Sequence, residues 1–183
     1  AEIIYCSNCD YAADGEIAVA ALSEYSEVPE AEMELIHTPG AATIADLARF
    51  LGREESTLVK TLFYKADGRL VCVLLRGDHE LNEIKLKNAL NCIELEMADD
   101  ASIIEATGCE PGYLSPIGLE GKFQVYADRE VARMTNTVAG ANKKDYHYKN
   151  VKPGRDFQID VVGDFRQVTA GDICCKCGHP LKS

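Results

Sequence analysis

The sequence predicts a mixed α/β (α+β) fold: a largely antiparallel sheet with surrounding helices, plus a small cysteine-held element formed by the two termini. Three observations lead there. Two β-rich runs flank Asp67-Gly68 and read as a hairpin. Segments with 3.6-residue apolar spacing alternate with short strand-like runs. A Cys-x-x-Cys pair stands near each end of the chain.

Residues 1–22 carry the first cysteine pair. Residues 23–34 are acidic and poorly periodic around Pro29, which reads as a linker. The compact part is expected to begin at Ile36. Ile44, Leu47, Ala48 and Leu51 fall at i, i+3, i+4 and i+7, so Thr43–Leu51 reads as a helix. Thr43 can cap its start and Gly52 can end it. Leu58–Lys65 and Leu70–Leu75 are the two arms of the hairpin. Glu80–Leu90 reads as a second helix, with Asp78 available as its cap. Ile93–Met97 reads as a strand and Asp100–Ala106 as a third helix, stopped at Gly108. Further strand-like pieces contain Val125, Tyr126, His147, Tyr148, Ile159, Val161 and Val162. These elements divide the chain into an N-terminal junction (1–35), a central domain (36–169) and a C-terminal junction (170–183).

The 183 residues carry 19 Lys plus Arg against 30 Asp plus Glu, a formal charge of −11. That balance argues against broad, non-specific nucleic-acid binding, which relies on basic residues neutralising phosphates. One narrow contact with a nucleic-acid end remains compatible with it. Hydrophobic residues make up 46 %, enough for an ordinary core. No apolar run reaches the ~18 residues of a membrane span, and no basic-then-apolar leader opens the sequence. A cytoplasmic protein with no membrane or DNA partner is the expectation.

Two residues between cysteines let both thiolates point at one ion from a tight turn, and two such turns complete a tetrahedral zinc site. Cys6, Cys9, Cys174 and Cys177 therefore form a candidate structural zinc site, a zinc-ribbon-like element that clips the ends together. Cys175 is an alternative ligand to Cys174. A closed four-sulfur site leaves no position for substrate, so its role would be structural. A redox dithiol is the competing reading.

Lys60 lies on an alternating strand with Leu62 and Tyr64 on its own face. It either snorkels at a sheet edge or sits in a cleft with an anionic partner. Gly112-x-x-x-Pro116 lies in a Gly/Pro-rich stretch that can aim backbone N–H groups at a ligand oxygen. His147, between two tyrosines, and Thr38, before Pro39, each have a bland packing or turn role as the alternative. No Ser-His-Asp order, Walker loop or Gly-x-Gly-x-x-Gly stands out.

Taken together, five strings resemble one family. They are Thr38-Pro-Gly; Thr57-Leu-Val-Lys-Thr-Leu-Phe-Tyr-Lys-Ala-Asp-Gly; Leu75-Arg-Gly-Asp-His-Glu-Leu-Asn-Glu; Gly112-Tyr-Leu-Ser-Pro-Ile-Gly-Leu; and Ala139-Gly-Ala-Asn. The family is the editing insertion of bacterial prolyl-tRNA synthetase, within the YbaK-like aminoacyl-tRNA deacylase superfamily. The match runs from about Ile36 to Thr169. The cysteine-bearing flanks resemble the joins of that insertion to a class II catalytic core.

The resemblance implies the YbaK-like fold and hydrolysis of alanine wrongly attached to tRNA-Pro, with no cofactor needed for the reaction itself. It implies two partners, the 3′ aminoacyl end of the tRNA and the remaining synthetase domains. Class II aminoacylation signatures and an anticodon-binding domain are not found in this sequence, so proline activation is not expected of it. Carried over by motif, the catalytic set is Lys60, His147, Gly112 and Pro116. The substrate-binding set is Thr38, Gly108, Tyr113, Leu114, Ser115 and Asp128. Ser115 stands where the family often has glycine. The rival readings are a freestanding trans-editing deacylase and a zinc-stapled, non-catalytic tRNA-binding module.

Overall fold

The computed structural model describes residues 2–183; Ala1, the first residue of the expected N-terminal junction, lies outside the described residues. In chain order the elements are β1 (Ile3–Cys6), β2 (Ala12–Asp14), β3 (Glu34–His37), α1 (Ile44–Leu51), β4 (Val59–Ala66), β5 (Arg69–Arg76), α2 (Glu83–Leu90) and β6 (Leu95–Met97). There follow α3 (Asp100–Thr107), β7 (Gln124–Asp128), α4 (Arg129–Ala132), β8 (Thr137–Gly140), β9 (Tyr146–Val151), β10 (Val161–Gly163) and β11 (Leu181–Lys182).

The central sheet has the order β10-β7-β5-β4-β6. β4 and β5 pair antiparallel from Val59↔Arg76 to Ala66↔Arg69. Asp67 (φ 49°) and Gly68 (φ 81°) make the turn, as the type I′ geometry of a two-residue hairpin requires. β7 joins β5 in parallel and β10 joins β7 in parallel. The central sheet is therefore mixed, while the pairings of the whole molecule are antiparallel-rich. A second sheet, β3-β9-β8, is antiparallel throughout.

Alternation along β4 and β5 buries both faces of the central sheet. Val59, Phe63, Cys72 and Leu74 pack with Ile103, Tyr113, Leu114 and Ala139 on one face. Tyr64, Val71, Val73 and Leu75 pack with Leu86, Leu90 and Phe165 on the other. β6 pairs only with Tyr64–Ala66, so the edge of β4 at Val59–Leu62 stays open on that side. The open edge is where the candidate site forms.

Helix α1 is capped as its sequence demands: Thr43 accepts from the Asp46 N–H at 3.0 Å and Gly52 closes it at φ 63°. Helix α2 corrects the expectation. It starts at Glu83, and its cap is Asn82, whose side chain accepts from the Ile84 and Lys85 N–H groups. Asp78 is engaged instead by both nitrogens of the Arg76 fork. The acidic linker also ends earlier than expected, because Glu34–His37 forms β3 against β9.

A third sheet, β11-β1-β2, brings the two chain ends together. Its core is small: Ile4, Cys6, Ala18, Ala20, Val168, Cys174 and Leu181. The buried Lys85 ties it to α2, donating to the carbonyls of Ala18 and Arg166 and to Asp164.

Candidate functional site at the open edge of the central sheet

A cleft of about 240 Å³ runs along the open edge of β4. It is lined by Val59–Leu62, by Ala42, Thr43, Ile44 and Leu47 at the start of α1, by Pro111, Gly112 and Leu114, and by Gly140 and His147 of the second sheet. Four sequence-predicted site residues, Lys60, Gly112, Leu114 and His147, thus share one cavity. A larger cavity of about 380 Å³ lies around Pro116, Leu119–Val125 and Arg69, and holds no other predicted site residue.

Lys60 is three-quarters buried or more, its side chain 18 % exposed. Its ammonium donates to the His79 carbonyl at 2.7 Å and to Glu80 Oε1 at 3.1 Å. An ammonium has three donors, and among the described residues the third has no acceptor. Lys60 therefore offers one directed N–H and a positive charge to whatever enters.

His147 and Thr38 come together from β9 and the end of β3. Thr38 Oγ1 and His147 Nδ1 lie 2.6 Å apart, and both residues are buried. His147 Nε2 has no partner among the described residues. Burial pushes the His147 imidazole down to about 4. Burial, with the Arg166 and Arg76 charges, brings His79 to about 4 as well. Both rings are neutral at pH 7. An unfolded histidine protonates near pH ~6.5, so the unfolded state takes up protons first as pH falls. Stability from these two groups is complete above about pH 6.5 and is lost progressively toward about pH 4. In an NMR titration the His79 and His147 ring resonances should stay unshifted down to pH 5; titration of either near neutrality would contradict the burial argument.

The Gly112–Pro116 loop is held from behind by Asn142. The Asn142 side chain accepts from the Ser115 N–H and donates to the Ser115 and Ile117 carbonyls, and its own N–H donates to the Tyr113 carbonyl. Gly140 lets the loop approach: a Cβ there would lie 2.2 Å from the Tyr113 carbonyl atoms. Gly112 has φ 116° with Ala42 against it. The N–H groups of Gly112, Tyr113 and Leu114 have no partner among the described residues, and Gly112 and Leu114 line the cleft. Tyr113 donates through its hydroxyl to Asp145, which also accepts from the Gly40 N–H. Ser115 fits through its hydroxyl, which accepts from the Ile117 N–H at 3.2 Å.

Three of the residues carried over by motif lie apart from this cleft. Asp128 is buried at the end of β7, where its carboxylate accepts from the Glu130, Phe165 and Arg166 N–H groups. That is an α4 cap and a strand tie, and Asp128 does not line the cleft. Gly108 is the left-handed C-cap of α3, and its backbone N–H is used by the Ile104 carbonyl. Pro116 lines the larger cavity rather than the cleft. Sequence reasoning read Glu80 only as an acidic residue at a helix start and gave no site role to His79, Gly140 or Asn142. The Ala139-Gly-Ala-Asn string was the available signal for the last two.

At the opposite end of the molecule the Cys6, Cys9, Cys174 and Cys177 sulfurs all lie within 4.8 Å of one another, a group able to hold a metal ion. Cys6 and Cys177 are 3.4 Å apart and Cys9 and Cys174 are 3.7 Å apart. The Asn8 and Lys176 N–H groups point at the Cys6 and Cys174 sulfurs. Cys175 is exposed and outside the cluster. Among the described residues no helix is long and apolar enough to cross a membrane.

Comparison with known proteins places this geometry. The profile described as the aminoacyl-tRNA editing domain matches residues 38–157. The proline--tRNA ligase of Moorella thermoacetica is 48 % identical over 180 residues, which are 98 % of this chain and 31 % of that protein. The proline--tRNA ligase of Desulforamulus reducens is 45 % identical over 183 residues, 99 % of this chain and 32 % of that protein. The chain spans about a third of the length of the curated relatives it matches. Among solved structures, a candidate trans-editing enzyme for prolyl tRNA synthetase superposes with a TM-score of 0.66 at 18 % identity, covering 74 % of this chain and 87 % of that one. A hypothetical protein superposes with a TM-score of 0.65 at 24 % identity, covering 74 % and 91 %. Both share the fold.

Proposed function

The chain belongs to the aminoacyl-tRNA editing domain family, and from that premise we propose that it is the post-transfer editing domain of a prolyl-tRNA synthetase. Its reaction is hydrolysis of the ester of alanine mischarged on tRNA-Pro. The observation that carries this reading is the convergence of Lys60, Gly112 and Leu114 of the loop, and a neutral His147 around one cleft.

In this mechanism the loop N–H groups receive the negative charge that develops on the ester oxygen as water attacks. One well-placed donor is worth on the order of 3 kcal/mol. His147, fixed by Thr38, presents Nε2 to the bound ester and positions it. Lys60 directs its remaining N–H to the ribose or terminal phosphate. The substrate's own ribose hydroxyl is available to help activate the water. Selectivity for alanine requires that the larger prolyl ring be excluded from the part of the cleft that receives the side chain.

Replacing Lys60 with alanine removes the cation that lines the cleft. We expect hydrolysis of Ala-tRNA-Pro to fall by about 100-fold or more, with the thermal midpoint little changed. Full activity in that variant would remove Lys60 from the mechanism.

The domain limits proposed with this function are 36–169 for the editing unit, flanked by junctions at 1–35 and 170–183. Zinc is the metal proposed for the cysteine cluster. Sulfurs around a tetrahedral zinc at ~2.3 Å stand about 3.8 Å apart, which the Cys6–Cys177 and Cys9–Cys174 pairs approach. Bound there, the ion would be held by all four thiolates and would serve the fold rather than the reaction. The tRNA 3′ end and the rest of the synthetase are the proposed partners, and the cytoplasm the proposed location. A formal charge of −11 suits a module that meets only the acceptor end while other domains hold the tRNA body.

A further inference from the structure

The Arg76-Gly-Asp-His-Glu string contributes a carbonyl and a carboxylate to Lys60, yet most of its charged atoms point elsewhere. Arg76 closes a fork on Asp78, with Nε donating to Oδ1 at 2.7 Å and Nη2 to Oδ2 at 2.9 Å. The His79 N–H donates to the Arg76 carbonyl at 2.9 Å, completing a tight turn. The carbonyl presented by that turn is the one that takes the Lys60 ammonium. Gly77 is required inside it, since a Cβ would lie 2.4 Å from the Glu55 carbonyl oxygen.

The same guanidinium reaches back to the segment that leads from the cysteine clip. Arg76 Nη1 donates to Ser23 Oγ at 3.0 Å and to the Tyr25 hydroxyl at 3.3 Å. Glu130 stands behind, its side chain 2 % exposed and 3.6 Å from Nη1. It accepts from the Ser23 N–H at 2.8 Å and from the Tyr25 hydroxyl. Burial opposes ionisation of Glu130, but the Tyr25 hydroxyl, the Ser23 N–H and the Arg76 charge outweigh it and hold its carboxyl below the usual value. A charge-assisted network this buried has few alternative arrangements.

We propose that Arg76, Asp78 and Glu130 are positioning residues for Lys60, and that the Ser23–Tyr25 segment is part of the same device. The fork fixes the turn, the turn aims the His79 carbonyl, and that carbonyl sets the direction of the Lys60 ammonium. Glu130 and Tyr25 lock the far side of the fork, so displacement of the junction segment would release the lysine. The inference rests on the editing function only for its catalytic consequence; the restraint on Lys60 is independent of it.

The test uses the full chain with two mild variants, Asp78→Asn and Tyr25→Phe. The first readout is the rate at which an amine-acylating reagent labels Lys60, measured by mass spectrometry against the exposed Lys122 as reference. We expect Lys60 labelling to rise about fivefold in Asp78→Asn and about twofold in Tyr25→Phe, with melting temperatures within a few degrees of the parent. The second readout is Ala-tRNA-Pro hydrolysis, where kcat should fall about tenfold in Asp78→Asn with KM nearly unchanged. Unchanged Lys60 labelling overturns the proposal. So does raised labelling with unchanged kcat. If the parent chain hydrolyses nothing, either alone or within the full-length synthetase, the editing reading fails, and labelling alone still decides whether the network restrains Lys60.

Discussion

Replacing Gly140 with alanine is expected to abolish ester hydrolysis while leaving the central sheet intact. The added Cβ would sit 2.2 Å from the Tyr113 carbonyl carbon and oxygen and 2.5 Å from the Leu114 oxygen. Those atoms are backbone, so no side-chain rotation relieves the clash. The Gly112–Pro116 loop must move off β8, and the contacts of Asn142 with Tyr113, Ser115 and Ile117 are lost or stretched. A shift of about 1 Å in catalytic groups costs on the order of 100-fold in rate. Overpacking of this kind costs about 1–3 kcal/mol of stability, which a domain of this size can absorb. The check is a deacylation assay beside a circular dichroism melt. Near-parent hydrolysis would mean that the loop N–H groups do not stabilise the oxyanion.

Removing the proposed zinc from the cysteine cluster is expected to produce the largest loss of stability. The cluster joins residues 6 and 9 to residues 174 and 177, and the sheet around it has a core of only seven buried residues. Freeing ends tied across so long a loop costs on the order of 4 kcal/mol. At this chain length that lowers the melting temperature by roughly 10 °C. A chelator, or Cys174→Ser, should produce that shift, and elemental analysis of the parent should find about one zinc per chain. Cys175→Ser should change nothing, because its side chain lies outside the cluster. No bound metal, together with a reversible Cys6–Cys9 disulfide, would favour the redox reading. The editing cleft shares no residue with the cluster, so a chelated sample still folded at low temperature should retain hydrolysis.

How far the sequence leads depends on how local each signal is. Helix α1 could be read to its caps because Thr43, Asp46 and Gly52 act within their own turns. The β4–β5 hairpin could be read because Asp67-Gly68 dictates its geometry. The parallel pairings of β7 with β5 and β10 could not, since a short apolar run carries no information about its neighbour's direction. Strand β3 was hidden in acidic sequence, and only its pairing with β9 makes it a strand. Asp78 and Asn82 are equally good caps by residue type, and the Arg76 fork decides between them.

The same division holds at the site. Alternation along β4 marked Lys60 as unusual, but its acceptors come from the turn after β5, 19 and 20 positions away. His147 and Thr38 looked bland individually; 109 positions separate them, and their hydrogen bond makes them one unit. Glu130 carries no signal in the sequence; it is buried, with Ser23 and Tyr25 hydrogen-bonded to its carboxylate. Motif resemblance carried Asp128 into the binding set, whereas its three backbone hydrogen bonds give it structural work.

The central claim is selective hydrolysis of a small aminoacyl ester on tRNA. The most direct measurement incubates this chain with Ala-tRNA-Pro and, separately, with Pro-tRNA-Pro, following loss of labelled amino acid from each. The account predicts release of alanine well above the spontaneous rate and retention of proline. Equal release of both, or release of neither even at high protein concentration and in the full-length synthetase, would contradict it.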